Sequence, residues 1–180
     1  MTDAVEIVSD LVKIPSVSPF GRNETERRER FERCREVLAY LEEFLQKQGA
    51  QTEQLVFEGG HDKWWYPVPN LYAELTIGDR KAVGHKFLCY MGHIDVVPVG
   101  EEKLWRRPPF SGQVDEGFVW GRGATDMKGS VGAWMSALEK LKAGKGDGVN
   151  LTIGTLITGD EEWAAVNGSD KVLALSLIHI

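Results

Sequence analysis

Apolar residues recur at alternating steps of three and four along parts of the chain, a spacing that is typical of amphipathic helices. The longest such stripe consists of Phe31, Cys34, Leu38, Leu41 and Leu45. Asn23 and Glu26 form a capping pair before this stripe, and Gly49 is suited to end the helix after it. Helices are predicted over residues 3–13, 24–48, 128–142 and about 169–175.

Four other segments are rich in apolar and β-branched residues and are bounded by turn residues, which indicates strands. The strands are predicted over residues 53–57, 71–77, 86–92 and 151–158. Segment 104–120 is rich in proline, glycine and aromatic residues, and it is predicted as a loop with a short hairpin near Asp115–Gly117. Helices that alternate with apolar strands indicate an α/β fold, here a three-layer sandwich with a mostly parallel central sheet.

Composition narrows the class of protein without identifying its chemistry. The chain has 180 residues, 42% hydrophobic and 27% charged, which is typical of a globular domain. The net charge of −6 argues against nucleic-acid binding, which favours a basic surface. The sequence contains neither an apolar run of ~18 residues, as a membrane span requires, nor a secretory signal pattern at its start. Cys34 and Cys89 are interpreted as reduced core thiols, and a cytoplasmic protein is predicted.

Three segments place histidine or carboxylate residues where predicted strands end or a predicted helix begins, and in α/β sheets ligands bind at the carboxyl ends of strands. The first is GHIDVVP, in which His93 and Asp95 stand two apart and share one face of an extended chain. Histidine is the commonest metal-ligating side chain, and a nearby carboxylate can orient its ring. The alternative is a histidine that hydrogen-bonds a neighbouring acid for structural reasons alone.

The second segment is GRGATDMKGSVGAW, with Asp126 between a glycine-rich loop and a predicted helix. An aspartate at this place is often only an N-cap. The functional interpretation is a rigidly held carboxylate that can bridge two cations, with Gly121 and Gly123 allowing sharp turns of the backbone. The segment lacks the spacing of a phosphate-binding loop, and it presents an acid where a phosphate would need donors.

The third segment, TGDEEW, places Asp160, Glu161 and Glu162 in succession. At ~5.5 Å and an effective dielectric of ~20, each pair of like charges repels by roughly 3 kcal/mol. Acids can favour a following helix start, but one acid would suffice for that. A dication turns the repulsion into shared attraction, so that one carboxylate can bind metal while another moves protons. A histidine with several carboxylates suits zinc or a related transition metal better than calcium.

The chain resembles the succinyl-diaminopimelate desuccinylase / acetylornithine deacetylase family of di-zinc amidohydrolases in three motifs, MGHIDVVPVGEEKLWRRPPFSG, VWGRGATDMKGSVGAW and LITGDEEWAAVNGSDKVL. The resemblance implies that His93 is a terminal ligand of one zinc and that Asp95 orients its ring. It further implies that Asp126 bridges both metals, that Glu161 is the general base, and that Glu162 is a terminal ligand of the other zinc. Two Zn²⁺ ions per complete active site are therefore expected, with Co²⁺ as a substitute.

The resemblance covers about residues 4–174 and implies a zinc-exopeptidase-like catalytic domain, a small N-acyl amino acid as substrate, and a homodimer. It also implies a cis peptide bond between Asp126 and Met127. Within the family, DEEWAAVNGSDKV is most similar to the desuccinylases, which hydrolyse N-succinyl-LL-2,6-diaminopimelate to succinate and LL-diaminopimelate. Trp163 stands where relatives usually carry glycine or another small residue, which makes the packing beside Glu162 a departure from the family pattern.

Residues 1–174 are expected to be the N-terminal part of a catalytic domain. A closed di-zinc site in this family needs another carboxylate and a second histidine after Glu162, and the chain has only His179 there, within LSLIHI. Residues 175–180 are interpreted as a non-native tail, and the dimerisation domain and the C-terminal part of the catalytic domain as absent. The isolated chain is therefore expected to bind metal weakly and to show no appreciable hydrolysis. The alternatives are an acetylornithine deacetylase, another aminoacylase or dipeptidase of the family, and a non-catalytic α/β fragment.

Overall fold

The computed structural model of the protein describes residues 2–18, 23–59, 66–144, 149–163 and 165–174. Over these residues the helices are α1 (Ala4–Lys13), α2 (Glu24–Lys47), α3 (Gly129–Ala143) and α4 (Ser169–Ala174). The strands are β1 (Gln51–Gly59), β2 (Tyr66–Ile77), β3 (Lys86–His93), β4 (Gln113–Asp115), β5 (Phe118–Trp120) and β6 (Leu151–Thr158). The interpreted tail 175–180, with His179, lies outside the described residues.

Local sequence explains where the longest helix begins and ends. The side chain of Asn23 accepts a hydrogen bond from the Glu26 N–H at 2.9 Å, which satisfies one of the free donors of the first turn of α2. At the other end, Gly49 takes a left-handed φ of 87° and donates its N–H to the Gln46 carbonyl at 2.8 Å. The predicted capping residues of this helix are confirmed.

The main sheet has the strand order β1-β2-β6-β3. Strand β3 runs parallel to β6, whereas β1 pairs antiparallel with β2 and β2 pairs antiparallel with β6. The predicted layered α/β fold is confirmed, but the prediction that its sheet is mostly parallel is wrong. Only residues 60–65 separate β1 from β2, and parallel neighbours need a crossover of roughly a dozen residues or more. Helix α3 provides such a crossover between β3 and β6.

Helices cover both faces of the sheet over the described ranges. Helices α1, α2 and α3 share one buried apolar cluster with one face of β2 and β6. On the opposite face, Val172 of α4 packs with Tyr72 and Leu156 in a second, smaller cluster. Alternation along the strands produces this division, because successive residues such as Leu156 and Ile157 point to opposite faces.

Two strand ends meet at one edge of this sheet. In the parallel pairing of β3 with β6, His93 lies opposite Thr158, so both strands end at the same level. The Ile94 N–H then donates to the Thr158 carbonyl at 2.9 Å and extends the pairing by one residue. The residues that follow β3 and β6 are therefore neighbours in space, as expected for the carboxyl ends of parallel strands.

The remaining expectations from composition concern thiols and membranes. Cys34 is a buried free thiol on α2, and Cys89 is a partly buried free thiol on β3, in agreement with the interpretation of both as reduced. In the part of the chain that the structure describes, we find no helix with the length and apolar character needed to cross a membrane.

Replacing Leu45 by alanine is expected to lower the free energy of unfolding by about 2–5 kcal/mol, because the large cluster buries this side chain completely. Urea denaturation of the 180-residue chain measures the change. Val83 is fully exposed, so Val83→Ala is the matched control, with an expected change of no more than about 0.5 kcal/mol. Equal stability of the two variants would contradict the packing of α2 against the sheet.

Candidate metal centre

His93, the last residue of β3, presents one ring nitrogen to the protein interior and the other to a group of carboxylates. Its Nδ1 lies 3.0 Å from the main-chain oxygen of Asp95 and 3.4 Å from the Oδ1 of that residue. A proton on Nδ1 therefore satisfies Asp95 and leaves the lone pair on Nε2. That Nε2 lies 3.2 Å from an Asp126 oxygen and 3.4 Å from a Glu161 oxygen, which is where a cation would be expected.

Asp95 is completely buried and connects the two strand ends. Its Oδ1 accepts the main-chain N–H of Glu161 at 3.1 Å, and its Oδ2 accepts the N–H of Glu162 at 2.9 Å. Hydrogen bonds to a charged acceptor are stronger than those between neutral groups. Asp95 thus contacts the His93 ring through its main-chain oxygen and holds the main chain of the two glutamates after β6 through its carboxylate.

The three consecutive acids after β6 point in different directions. Asp160 is buried, and its Oδ2 accepts the main-chain N–H of Asn167 at 3.2 Å. The side chain of Glu161 is 58% exposed, and Glu162 is partly buried. Asp160 faces the interior, whereas the two glutamates face the candidate site. The carboxylate of Asp160 is therefore directed away from the other two, which reduces the repulsion that the sequence suggests.

Asp126 lies in the irregular turn Ala124–Lys128 that precedes α3. The peptide bond between Asp126 and Met127 is cis, as predicted. Helix α3 has no side-chain N-cap, so the interpretation of Asp126 as an ordinary cap is wrong. Gly123 enters the turn with φ 82°, and a Cβ there would lie 2.5 Å from Val96 Cγ1, which explains the glycine.

The structure brings the three predicted metal ligands together. One ligand atom from each of His93, Asp126 and Glu162 lies within 4.8 Å of the other two. The set combines an imidazole nitrogen with carboxylate oxygens, which are the ligand atoms that zinc and related metals take in proteins. The hydrogen bond from Nδ1 to Asp95 also has the form of the outer partner that a metal-bound histidine usually has. The residues present therefore fit a divalent metal.

The charges of the site also favour a cation. Burial opposes a charge on His93, but its hydrogen bond to Asp95 and the negative charges of Asp95 and Glu161 outweigh this and raise its pKa to about 9. Burial raises the pKa of Glu162 above the ordinary value, and the negative charge of Asp126 raises it further. The raised pKa of His93 reports excess negative charge, which a metal ion would neutralise in place of a proton, whereas that of Glu162 comes first from burial.

Zinc binding is expected to release about one proton at pH 7, because the metal needs the lone pair that a proton on His93 occupies. With a pKa of about 9 the imidazole is almost fully protonated at this pH. An ordinary histidine with a pKa of about 6.5 would release only ~0.2 proton. Apparent zinc affinity should therefore rise as the pH is raised, by up to about tenfold per unit, and level off above the pKa of His93.

Isothermal titration of the 180-residue chain in buffers of different ionisation enthalpy counts the released protons. His85→Gln is the matched control, because His85 is half-buried and bonds to Asp79 and Thr152, away from the candidate site. This variant should release as many protons as the wild type. Release of only ~0.2 proton by the wild type would contradict the raised pKa of His93.

Some features of the site were not predicted from the sequence. Lys128 is completely buried, and its ammonium group donates to the carbonyls of Leu11 and Ile14. The lysine directly follows a predicted loop and offers no sequence signal for burial. The sequence also did not predict that the main-chain N–H groups of Glu161 and Glu162 donate to Asp95. These residues lie 66 and 67 positions after Asp95 in the chain. Trp163, the departure from the family pattern, is half exposed.

The sequence that forms this site matches a known protein family. A family model described as peptidase family M20/M25/M40 matches residues 89–179, just over half of the chain, and this stretch contains all five predicted site residues. The chain belongs to this family.

Similarity to individual proteins extends beyond the matched stretch. A succinyl-diaminopimelate desuccinylase of Methylocella silvestris is 36% identical over 170 residues, which cover 94% of this chain and 38% of that protein. The chain therefore spans about two fifths of the length of the curated relatives it matches.

Solved structures share the fold. Human carnosine dipeptidase 1 superimposes with a TM-score of 0.75 at 27% identity, covering 94% of this chain and 34% of that one. An M20 family metallo-carboxypeptidase, Sso-CP2 from Sulfolobus solfataricus, superimposes with a TM-score of 0.68 at 27% identity, covering 93% and 33%. The layered fold of this chain is thus the fold of part of these larger proteins.

Proposed function

We propose that the chain carries part of the active site of a metal-dependent amidohydrolase. The reaction is the hydrolysis of N-succinyl-LL-2,6-diaminopimelate with water to succinate and LL-diaminopimelate. The observation that carries the proposal is the grouping of His93, Asp126 and Glu162 beside Glu161 at one sheet edge. The names of the curated relatives support the choice of substrate.

The metal-binding residues take distinct roles in this proposal. His93 would hold one Zn²⁺ and Glu162 a second, Asp126 would be shared between them, and Co²⁺ could replace zinc. When bound, such ions supply Lewis acidity, which polarises an amide carbonyl and makes a neighbouring water more acidic. Asp95 keeps the ring of His93 in the orientation that directs Nε2 to the site.

Glu161 is the general base of the proposed reaction. Its side chain is more than half exposed, so its carboxylate can reach a water and a substrate, and one of its oxygens lies 3.4 Å from His93 Nε2. It removes a proton from the attacking water and later delivers that proton to the leaving amine. Its main-chain N–H is held by Asp95, which fixes the start of the side chain without using its carboxylate.

In this proposal the chain supplies only part of the metal centre. Two tetrahedral zinc ions need more ligands than the three grouped side chains that the described residues offer. We therefore expect the 180-residue chain alone to bind metal weakly and to hydrolyse substrate hardly at all. On this proposal residues 1–174 belong to the N-terminal part of a catalytic domain, and the working enzyme is a cytoplasmic homodimer.

The substrate is tested on the product of the complete open reading frame that contains the chain. We expect a kcat/KM for N-succinyl-LL-2,6-diaminopimelate at least ~10-fold above that for N-acetylornithine. The succinyl group carries a carboxylate that the acetyl group lacks, and a site that pairs with this carboxylate discriminates against a substrate without it. The dipeptide carnosine is the third compound to be assayed, since a carnosine dipeptidase shares the fold. Preference for either competitor would overturn the proposed substrate, and hydrolysis of none would favour the non-catalytic alternative.

A further inference from the structure

Lys128 is a buried lysine that pairs with the main chain of another element. The side chain is completely buried, and Nζ donates to the carbonyl oxygens of Leu11 at 2.8 Å and Ile14 at 2.7 Å. Both carbonyls lie at the C-terminal end of α1, where the helix dipole favours a cation. Each also accepts a main-chain N–H, Leu11 that of Ile14 at 3.3 Å and Ile14 that of Ser16 at 2.9 Å. The end of α1 therefore supplies the partners that a buried ammonium group needs.

The same residue closes the turn that carries Asp126. The main-chain N–H of Lys128 donates to the Gly123 carbonyl at 2.9 Å, across the turn. The aliphatic part of its side chain packs beside the start of the turn, since a Cβ at position 123 would lie 3.3 Å from Lys128 Cδ. The main chain of Lys128 thus closes the turn, and its side chain attaches the turn to α1.

Asp126 itself has few contacts that could hold its carboxylate in place. The side chain is 71% exposed. Within the described ranges, its carboxylate makes one hydrogen bond, to His93 Nε2 at 3.2 Å, and a bound metal would replace that contact. The location of the carboxylate is therefore set mainly by the main chain of the turn.

We propose that Lys128 is a positioning residue of the candidate metal centre, which ties the turn Ala124–Lys128 to α1 and so holds the Asp126 carboxylate opposite His93. The inference rests on the proposed function, because it assigns Lys128 a role toward a bound metal. If Lys128 served folding alone, its replacement would lower the stability of the chain as other destabilising substitutions do, and it would not change metal affinity through Asp126.

The test is a Co²⁺ titration of the 180-residue chain, followed by the visible absorption of the bound ion and by urea denaturation. Lys128→Met, which keeps the aliphatic chain and removes the donors, is expected to weaken Co²⁺ binding by about 10–100-fold. Two controls accompany it, Lys140→Met on the exposed side of α3 and the core variant Leu45→Ala. Both controls should change the affinity by less than about twofold, although Leu45→Ala also destabilises the fold.

A double-mutant cycle shows whether Lys128 acts through Asp126. In an Asp126→Asn background, Lys128→Met should add less than about twofold to the loss of affinity, because the group that Lys128 positions is already impaired. A full additional 10–100-fold loss in that background would overturn the proposal, since Lys128 would then act by another route.

The remaining outcomes separate this inference from the proposed function. Absence of Co²⁺ binding by both the 180-residue chain and the complete open reading frame product overturns the metal centre and this inference together. Wild-type binding that depends on His93 but is unchanged in Lys128→Met overturns this inference alone. If Lys128→Met does not fold, the milder Lys128→Gln is measured instead. Failure of both variants to fold, with and without Co²⁺, would show that Lys128 supports the whole fold and would overturn the specific role.

Discussion

Replacing Glu161 by glutamine is expected to lower kcat for N-succinyl-LL-2,6-diaminopimelate by about 10²–10⁴-fold, which is the range that a general base contributes. Glutamine has the same shape but no basic oxygen, so it cannot accept the proton of the attacking water. The main-chain N–H of residue 161 still donates to Asp95, so the loop keeps its place. Metal content should therefore stay close to that of the wild type.

Steady-state kinetics and metal analysis of the complete open reading frame product measure both effects. Glu162→Gln should lose metal as well as activity, because Glu162 is one of the grouped ligands. Glu101→Gln is the neutral control, since Glu101 is exposed and paired with Lys103. A Glu161→Gln enzyme that keeps more than about a tenth of wild-type activity would refute the assignment of the base.

Replacing Asp95 by asparagine is expected to weaken zinc binding by about 10–100-fold, because it removes the buried negative charge 3.4 Å from His93 Nδ1. The main-chain oxygen of residue 95 still faces Nδ1 in this variant. The buried carboxylate accepts two main-chain N–H groups and faces the His93 ring, and an amide has only one oxygen to offer. The NH₂ group of asparagine would then face a buried donor, so that the free energy of unfolding also falls by about 1–3 kcal/mol.

Zinc titration and urea denaturation of the 180-residue chain test the role of Asp95. Asp115→Asn is the matched control, because it removes the same charge from a residue paired with Arg107 in the β4–β5 hairpin. That variant should leave zinc affinity unchanged. Wild-type zinc affinity in Asp95→Asn would mean that Asp95 does not position the site.

The sequence predicted the helices well because their signals are local. The stripe of α2 and its capping residue Asn23 lie within a few turns of one another, and the structure confirms both. Strand positions were also close, and β6 has the predicted bounds of 151–158. The predicted parallel direction was wrong for the pairs β1–β2 and β2–β6, because apolar patterning does not encode strand direction. The short link between β1 and β2 was the available sign of an antiparallel pair.

The site was predictable to the extent that its residues stand at strand ends. His93 and Glu162 come together because β3 and β6 are parallel neighbours, which the sequence suggested. The sequence offered no role for Asp160, and the structure shows it accepting the Asn167 N–H in the interior. Likewise, nothing local indicates that Lys128 reaches α1, since its partners are more than a hundred residues away. Contacts of this kind depend on the tertiary fold.

The most direct test removes and restores the metal of the complete open reading frame product while N-succinyl-LL-2,6-diaminopimelate hydrolysis is followed. The chelated wild-type enzyme should be inactive, and added Zn²⁺ should restore its activity. His93→Ala should stay inactive at the same Zn²⁺ concentration, because Nε2 of His93 is one of the three grouped ligand atoms. Hydrolysis that persists in chelator, or equal recovery in His93→Ala, would contradict a metal centre built on His93, Asp126 and Glu162.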